Sequence, residues 1–161
     1  MSVAARPLAA TIEIAAPAEA VWAVVSDVRR TGEWSPECRK VLARGPVSEG
    51  SRIVGLNRRG LIVWPTTAKV VRCEPGKAIA WRVTENGTTW SYELEPSATG
   101  TRLTERREAS AGVTRLSATF TAALLGGNDE HSDELEQGMR AGLATIKQIV
   151  EARQPGHAGT W

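Results

Sequence analysis

The sequence predicts an α+β chain in which a curved antiparallel sheet of about seven strands wraps around a long C-terminal helix, with two short helices after the first strand. Three observations predict it. From Ser51 to Glu108 the chain alternates apolar and polar residues between turn pairs at Arg59-Gly60, Pro75-Gly76 and Asn86-Gly87. From Leu135 to Val150 apolar residues recur at three- and four-residue spacing. A helix there is the only element long enough to cover the aromatic face of the sheet.

Leu8 to Ala15 alternates, with Ile12 and Ile14 on one side, and reads as the first strand. Pro17 opens a helix in the first turn, where its missing N–H costs nothing. Val21, Trp22, Val24, Val25 and Val28 give that helix a broad apolar side. Residues 32–38 read as a loop or second short helix, followed by a weak strand over Arg39 to Ala43. The stretch from Ala109 to Gly127 is apolar, with a strand expected early and a helical turn over Ala122 to Leu125. In the last helix Ser132 is expected at the N-cap, with Asp133, Glu134 and Glu136 placing negative charge in the first turn. Leu135, Met139, Leu143, Ile146, Ile149 and Val150 form its core-facing stripe, and Pro155-Gly156 stops it.

The hairpins carry a register. Asn86-Gly87 as a two-residue type I′ loop pairs Val83 with Trp90, Trp81 with Tyr92 and Ile79 with Leu94. Pro75-Gly76 treated likewise pairs Val70 with Trp81 and Ala68 with Val83. Arg59-Gly60 treated likewise sets Asn57 opposite Ile62 and Gly55 opposite Trp64, where a glycine leaves room for the indole. Across the longer turn at Ser97 to Gly100, Leu94 pairs with Leu103, Tyr92 with Glu105 and Trp90 with Arg107. Directly paired residues share a face, and every hairpin assigns the same one. That face collects Trp64, Trp81, Trp90 and Tyr92, with Asn57, Thr66, Glu105 and Arg107 as its polar exceptions. Leu135, Met139, Leu143 and Ile146 of the last helix supply the opposite wall.

A length of 161 residues suits one domain, ordered over about 8–153 with a frayed tail over about 155–161. A formal charge of +2 is too small to argue for nucleic acid or a membrane surface, and the arginine pairs read as solvated surface. No apolar run is long enough to span a membrane. The start of the chain shows no basic segment followed by a long apolar stretch, so a cytoplasmic location is expected. Cys38 and Cys73 lack metal-ligand spacing and are expected as reduced thiols; no metal and no cofactor is expected.

Several motifs then coincide in order: Ala16 to Trp22 opening the first helix, Glu33-Trp34-Ser35-Pro36, Glu74-Pro75-Gly76 before a strand ending in Trp81-Arg82-Val83, and Gly100 to Thr104. On these residues the chain resembles the START-like, helix-grip superfamily. This is the SRPBCC group of polyketide cyclase/dehydrase-like and birch-pollen-allergen-like proteins, including its small bacterial members. The resemblance covers about Leu8 to Arg153. It implies a cavity between sheet and helix for a lipid, a polyketide or another small apolar or aromatic molecule. It also implies three roles to choose among: a binding protein, a cyclase or dehydratase, and a co-chaperone-like or toxin-like interaction module.

Two inward charges stand out from the residues themselves. Glu105 opposite Tyr92 is the candidate general acid/base, because burial raises a carboxyl's pKa. Arg107 beside Trp90 is placed for a cation–π contact and for holding a ligand oxygen. Asn57 and Thr66 are neutral orienting groups beside Trp64, and Trp34 is a plug or gate at the mouth. The polar groups are scattered and no nucleophile–base pair is visible, so binding is the leading expectation. The oligomeric state is expected to be a monomer or homodimer.

Overall fold

A computed structural model describes residues 7–109 and 128–154. Its sheet contains β1 (Leu8–Ile14), β2 (Cys38–Ala43), β3 (Arg52–Arg59), β4 (Ile62–Glu74), β5 (Ala78–Val83), β6 (Thr89–Ser97) and β7 (Gly100–Glu108). All neighbours are antiparallel, in the order β1-β7-β6-β5-β4-β3-β2. Between β1 and β2 lie α1 (Ala18–Val25) and a 3₁₀ helix (Val28–Glu33). The long helix α2 spans Asn128–Ala152.

The predicted fold class is therefore the observed one, with local differences. Pro17 is the N-cap of α1 rather than its first helical residue. The second short helix lies upstream of the expected place and leaves Trp34 at its C-cap. Helix α2 begins at Asn128, so Ser132 is inside the helix and not its cap. The expectations for Ser110 to Gly127, and the stop at Pro155-Gly156, lie outside the described residues.

Two turns differ in a way that matters for register. A type I′ loop needs positive φ at both central residues. Among the described residues only glycines have positive φ, so Asn86 cannot fill its half of that turn. The loop widens to four residues, Thr84 to Gly87, closed by Val83 N–H to Thr88 O at 2.8 Å. The Asn86 side chain accepts from Thr88 N–H at 2.9 Å instead. Trp81 consequently pairs with Trp90, and Ile79 with Tyr92. At the β3–β4 turn the central pair is Gly60-Leu61, with Gly60 at φ 59°, as a type II′ turn needs at its first position. Asn57 then pairs with Trp64, and Gly55 with Thr66. Both slips are of two residues, so no side chain changes face.

The third turn contains three residues, Pro75 to Lys77, yet Val70 still pairs with Trp81 and Ala68 with Val83. A bulge at Val71 absorbs the extra residue. The β6–β7 pairing matches the expectation throughout, including Tyr92 with Glu105 and Trp90 with Arg107.

The core sits under one half of the sheet. Helix α2 packs on β1, β7 and α1, and α1 packs on β6. Ile14, Val21, Val70, Ile79, Leu103 and Ile146 are fully buried there. The 3₁₀ helix packs on β2 at the other edge. Between these two supports the inner face of the sheet is left standing over open space.

Candidate functional site

That space is a cavity of about 860 Å³. Alternation along β3 to β7 delivers its sheet wall: Asn57, then Trp64 and Thr66, then Trp81, then Trp90 and Tyr92, then Glu105 and Arg107. Trp34 enters from the end of the 3₁₀ helix, and Leu135 and Met139 enter from α2. Ten of the expected pocket residues, and Glu105, thus meet around one volume. Leu143 and Ile146 do not. They are 1% and 0% exposed and are sealed against β1 and α1 rather than lining the cavity. The helix crosses the sheet near its β1 edge, and among its described residues those from Glu134 to Gly142 overlook the open half.

Two glycines set that crossing. A Cβ on Gly142 would stand 3.0 Å from Trp34 O, and one on Gly138 would stand 3.1 Å from Pro36 Cγ. Spaced one turn apart, they let the loop 34–36 lie directly on α2 and hold Trp34 over the cavity. Gly55 has a related role. Its absent Cβ would be 3.0 Å from Thr66 Oγ1, so it makes room for a polar pair and not, as the sequence register implied, for an indole.

The polar groups are organised. Asn57 Nδ2 donates to Thr66 Oγ1 at 3.1 Å and to Trp64 O at 3.3 Å. Deeper, Trp34 Nε1 donates to Tyr92 Oη at 3.1 Å. An indole N–H can only donate, so the phenol accepts there and its own proton points to Glu105 Oε1 at 3.4 Å. Glu105 is 8% exposed, and this burial pushes its pKa up to about 8, against the opposing pull of the Tyr92 bond. That shift favours the neutral carboxylic acid at neutral pH. Oε1 faces the Tyr92 hydroxyl, and no hydrogen bond within the described residues occupies Oε2. Burial, followed by the nearby Glu105, raises the Tyr92 phenol well above its ordinary value.

Arg107 has its guanidinium 6.0 Å from the Trp90 ring centre. Its Nη1 is buried without a hydrogen-bond partner among the described residues. Burial lowers its pKa, and Glu37 acts in the opposite direction. Trp81 and Tyr92 pack with ring centres 5.8 Å apart and planes tilted by 44°.

The sequence reading missed the rim. Glu37 and Cys38 follow Pro36 onto the cavity wall, and Arg59 of β3 reaches across to ion-pair with Glu134 of α2. Burial raises the Glu37 carboxyl, Arg59 opposes this most, Glu134 adds to it and Arg107 opposes it again. Arg59 continues the inward alternation of Asn57 along β3, a signal the sequence did offer, but its partner was not legible. Glu37 sits in a loop, and the Arg59–Glu134 contact is a tertiary one. Cys38 is free and half-buried, and burial raises its thiol pKa, which disfavours the thiolate a nucleophile would need.

A curved antiparallel sheet gripping a C-terminal helix, with a lined cavity between them, defines the START-like, SRPBCC-type class. The chain belongs within it to the family described as polyketide cyclase / dehydrase and lipid transport, which matches residues 7–155. Among solved structures it is similar to a polyketide-cyclase-like protein from Corynebacterium glutamicum, at 32% identity and TM-score 0.68, covering 100% of this chain and 99% of that one. An aromatase/cyclase from a Streptomyces species shares the fold at 20% identity and TM-score 0.70, over 96% and 99% of the two chains. The di-domain aromatase/cyclase of the steffimycin biosynthetic pathway shares it at 15% identity and TM-score 0.73; 91% of this chain matches 51% of that one. No curated protein matches the chain in sequence.

Proposed function

We propose that this protein binds a small hydrophobic or aromatic molecule, lipid-like or polyketide-like, between the sheet and α2. The observation that carries this reading is a cavity of about 860 Å³ walled by Trp34, Trp64, Trp81 and Trp90. That volume lies within the roughly 300–1,000 Å³ of sites for small organic ligands. Its polar groups suit an apolar guest with a few oxygens. Asn57 and Thr66 are neutral at every pH and burial favours the neutral form of Glu105, so these three groups cost an apolar ligand little desolvation. The charged groups are Arg107 on the wall and Glu37, Arg59 and Glu134 at the rim, where a ligand oxygen would meet them. The test is a titration with N-phenyl-naphthylamine and with lipids and aromatic polyketides, following indole emission and melting temperature. Quenching or enhancement of emission with a rise in melting temperature is expected. No response to any of them would sink the reading.

A second reading, cyclase or dehydratase chemistry, is favoured by the state of Glu105. A buried acid that keeps its proton can deliver it to a departing hydroxyl, which leaves as water, and the resulting carboxylate can then take the proton from the adjacent carbon. Asn57 or Arg107 would orient the substrate carbonyl. Glu105→Gln should abolish such turnover while retaining binding; full activity in that variant would eliminate the role.

A further inference from the structure

The side of the sheet turned away from the cavity divides into two halves of different chemistry. Over β1, β6 and β7 it is polar and internally paired. Arg102 Nε meets Glu13 Oε1 at 2.7 Å, Arg106 Nε meets Glu93 Oε2 at 3.3 Å, and the Thr11 and Thr104 hydroxyls are 3.1 Å apart. Over β2, β3 and β4, aliphatic residues alternate with cations. Leu42 lies beside Val54, Lys40 beside Leu56, and Arg58 beside Val63. Among the described residues, all the large aliphatics that remain exposed lie on these three strands or their turn, led by Leu61 at 96%, Leu42 at 57% and Val63 at 55%. From Cys38 to Cys73 the chain carries eight Lys or Arg and one acid, Glu49. Of the eight, Arg59 turns inward to Glu134 and Arg72 pairs with Glu74, and Glu85 bonds Thr67 on β4. This leaves Lys40, Arg52, Arg58 and Lys69 as the cations of the outer positions. The near-neutral total hides this concentration.

We propose that the outer face of β2–β4, with Leu61 at its tip, docks on an anionic lipid surface. The charge selects the partner. A second copy of this face would bring like charges together, whereas an anionic surface complements them. Cations on the edge strand β2 would also discourage strand addition, but that role needs no leucines between them. The outer positions of these strands carry no aromatic residue to anchor a protein partner. Aliphatics flanked by Lys and Arg suit the boundary between headgroups and acyl chains. The tip is built for projection. Gly60 turns the chain at φ 59°, and Arg58 Nε donates to Gly60 O at 2.8 Å, which holds the guanidinium beside Leu61. Gly60 and Ile62 also lie on the cavity rim, next to the Arg59–Glu134 bridge. Docking would therefore place that rim at the lipid. The inference does not depend on which molecule the cavity holds.

The test is flotation of the full chain with vesicles of phosphatidylcholine alone, or of phosphatidylcholine with a quarter phosphatidylglycerol. Binding only to the anionic vesicles, weakened by salt, is expected. Leu56→Ser with Leu61→Ser should lower that affinity about ten- to a hundredfold, and Arg52→Glu with Lys69→Glu should remove it. Uptake of N-phenyl-naphthylamine without vesicles checks that each variant keeps its fold and cavity, and reads the ligand-binding proposal separately. The docking inference is overturned by no binding to anionic vesicles, by equal binding to neutral ones, or by vesicle binding that both double variants retain. Capture by poly-glutamate but not by vesicles would assign the face to an acidic protein and also overturn it. So would a dimer in sedimentation velocity that Val54→Asp dissociates.

Discussion

The inner face of the sheet has two halves with the same alternation and opposite fates. On β1, β7 and β6, Ile14, Leu103 and Leu94 point inward and meet Val21, Leu143, Ile146 and Val150 from the helices, and the space is closed. On β3 to β5, Val70 and Ile79 still join that core, but Asn57, Trp64, Thr66 and Trp81 on the same inward face stay half-buried around the cavity, which Trp90 and Arg107 extend onto β6 and β7. The difference lies above the sheet. Helix α2 crosses near the β1 edge, and Gly138 and Gly142 let the Trp34 loop, rather than a second helix, lean over the rest. Alternation decides which side chains face in. Helix placement decides whether they become core or wall.

The largest expected effect comes from breaking the closed half. Ile146 is fully buried, so Ile146→Ala should cost about 4 kcal/mol, as loss of a buried aliphatic leaves a cavity that only partly collapses. The same truncation at Trp64 removes more atoms. In a packed core it would cost roughly 3–5 kcal/mol, but one side of this indole already lacks neighbours, so about 1 kcal/mol is expected, together with loss of naphthylamine binding. Urea unfolding of both variants measures the contrast. Equal losses would mean that the two halves are packed alike and that the cavity is closed in solution.

Glu105 sharpens the boundary between the halves, because it is the buried acid where core gives way to wall. Its folded-state pKa is raised, to about 8, while the unfolded chain releases the same proton in the ordinary carboxylate range. Between those values the folded state binds more protons. Stability is therefore greatest below the unfolded pKa, falls by about 1 kcal/mol per pH unit as pH rises, and levels off above about 8. Glu105→Gln should remove this slope, so the two stability curves converge at acid pH and separate as pH rises. Parallel curves would show that Glu105 is solvated and ionised, and would remove the acid-catalysis reading with it.

What could be read in advance followed the same division between face and filling. Inward and outward residues were legible because side-chain direction has a period of two, and slips of two residues at Asn86-Gly87 and Arg59-Gly60 preserve it. The partners within a face were less legible, because they depend on whether Asn86 or Arg59 will adopt positive φ. The Val70–Trp81 pairing held only because a bulge at Val71 offsets a longer turn. The Tyr92–Glu105 contact was legible as a direct cross-strand pair. The Trp34 bond to Tyr92, 58 residues away, was not, nor was Arg59 with Glu134, because local pattern carries no information about which loop meets which strand. The helical stripe of Leu135 and Met139 runs on through Leu143 and Ile146, so the sequence pattern sets all four on one wall. A stripe tells which side of a helix is apolar, not where along it the helix leaves one neighbour for another.

The smallest effects come from two neighbours on β7 that face opposite ways. Arg106 points outward and bonds Glu93 at 3.3 Å, with the two side chains 44% and 32% exposed. Such a pair gains little over solvation, so Arg106→Ala should change stability by less than about 0.5 kcal/mol. Arg107 points inward, stacks near Trp90, and has a buried Nη1 with no partner among the described residues. Keeping an unpaired donor out of water is unfavourable. Arg107→Met, which retains the length of the stem and removes the charge, should raise stability by about 1 kcal/mol. Thermal unfolding of the two variants side by side decides the matter. A loss of stability at Arg107 comparable to that of a core truncation would mean that its guanidinium holds the wall together, and that the open half is braced by charge where the closed half is braced by packing.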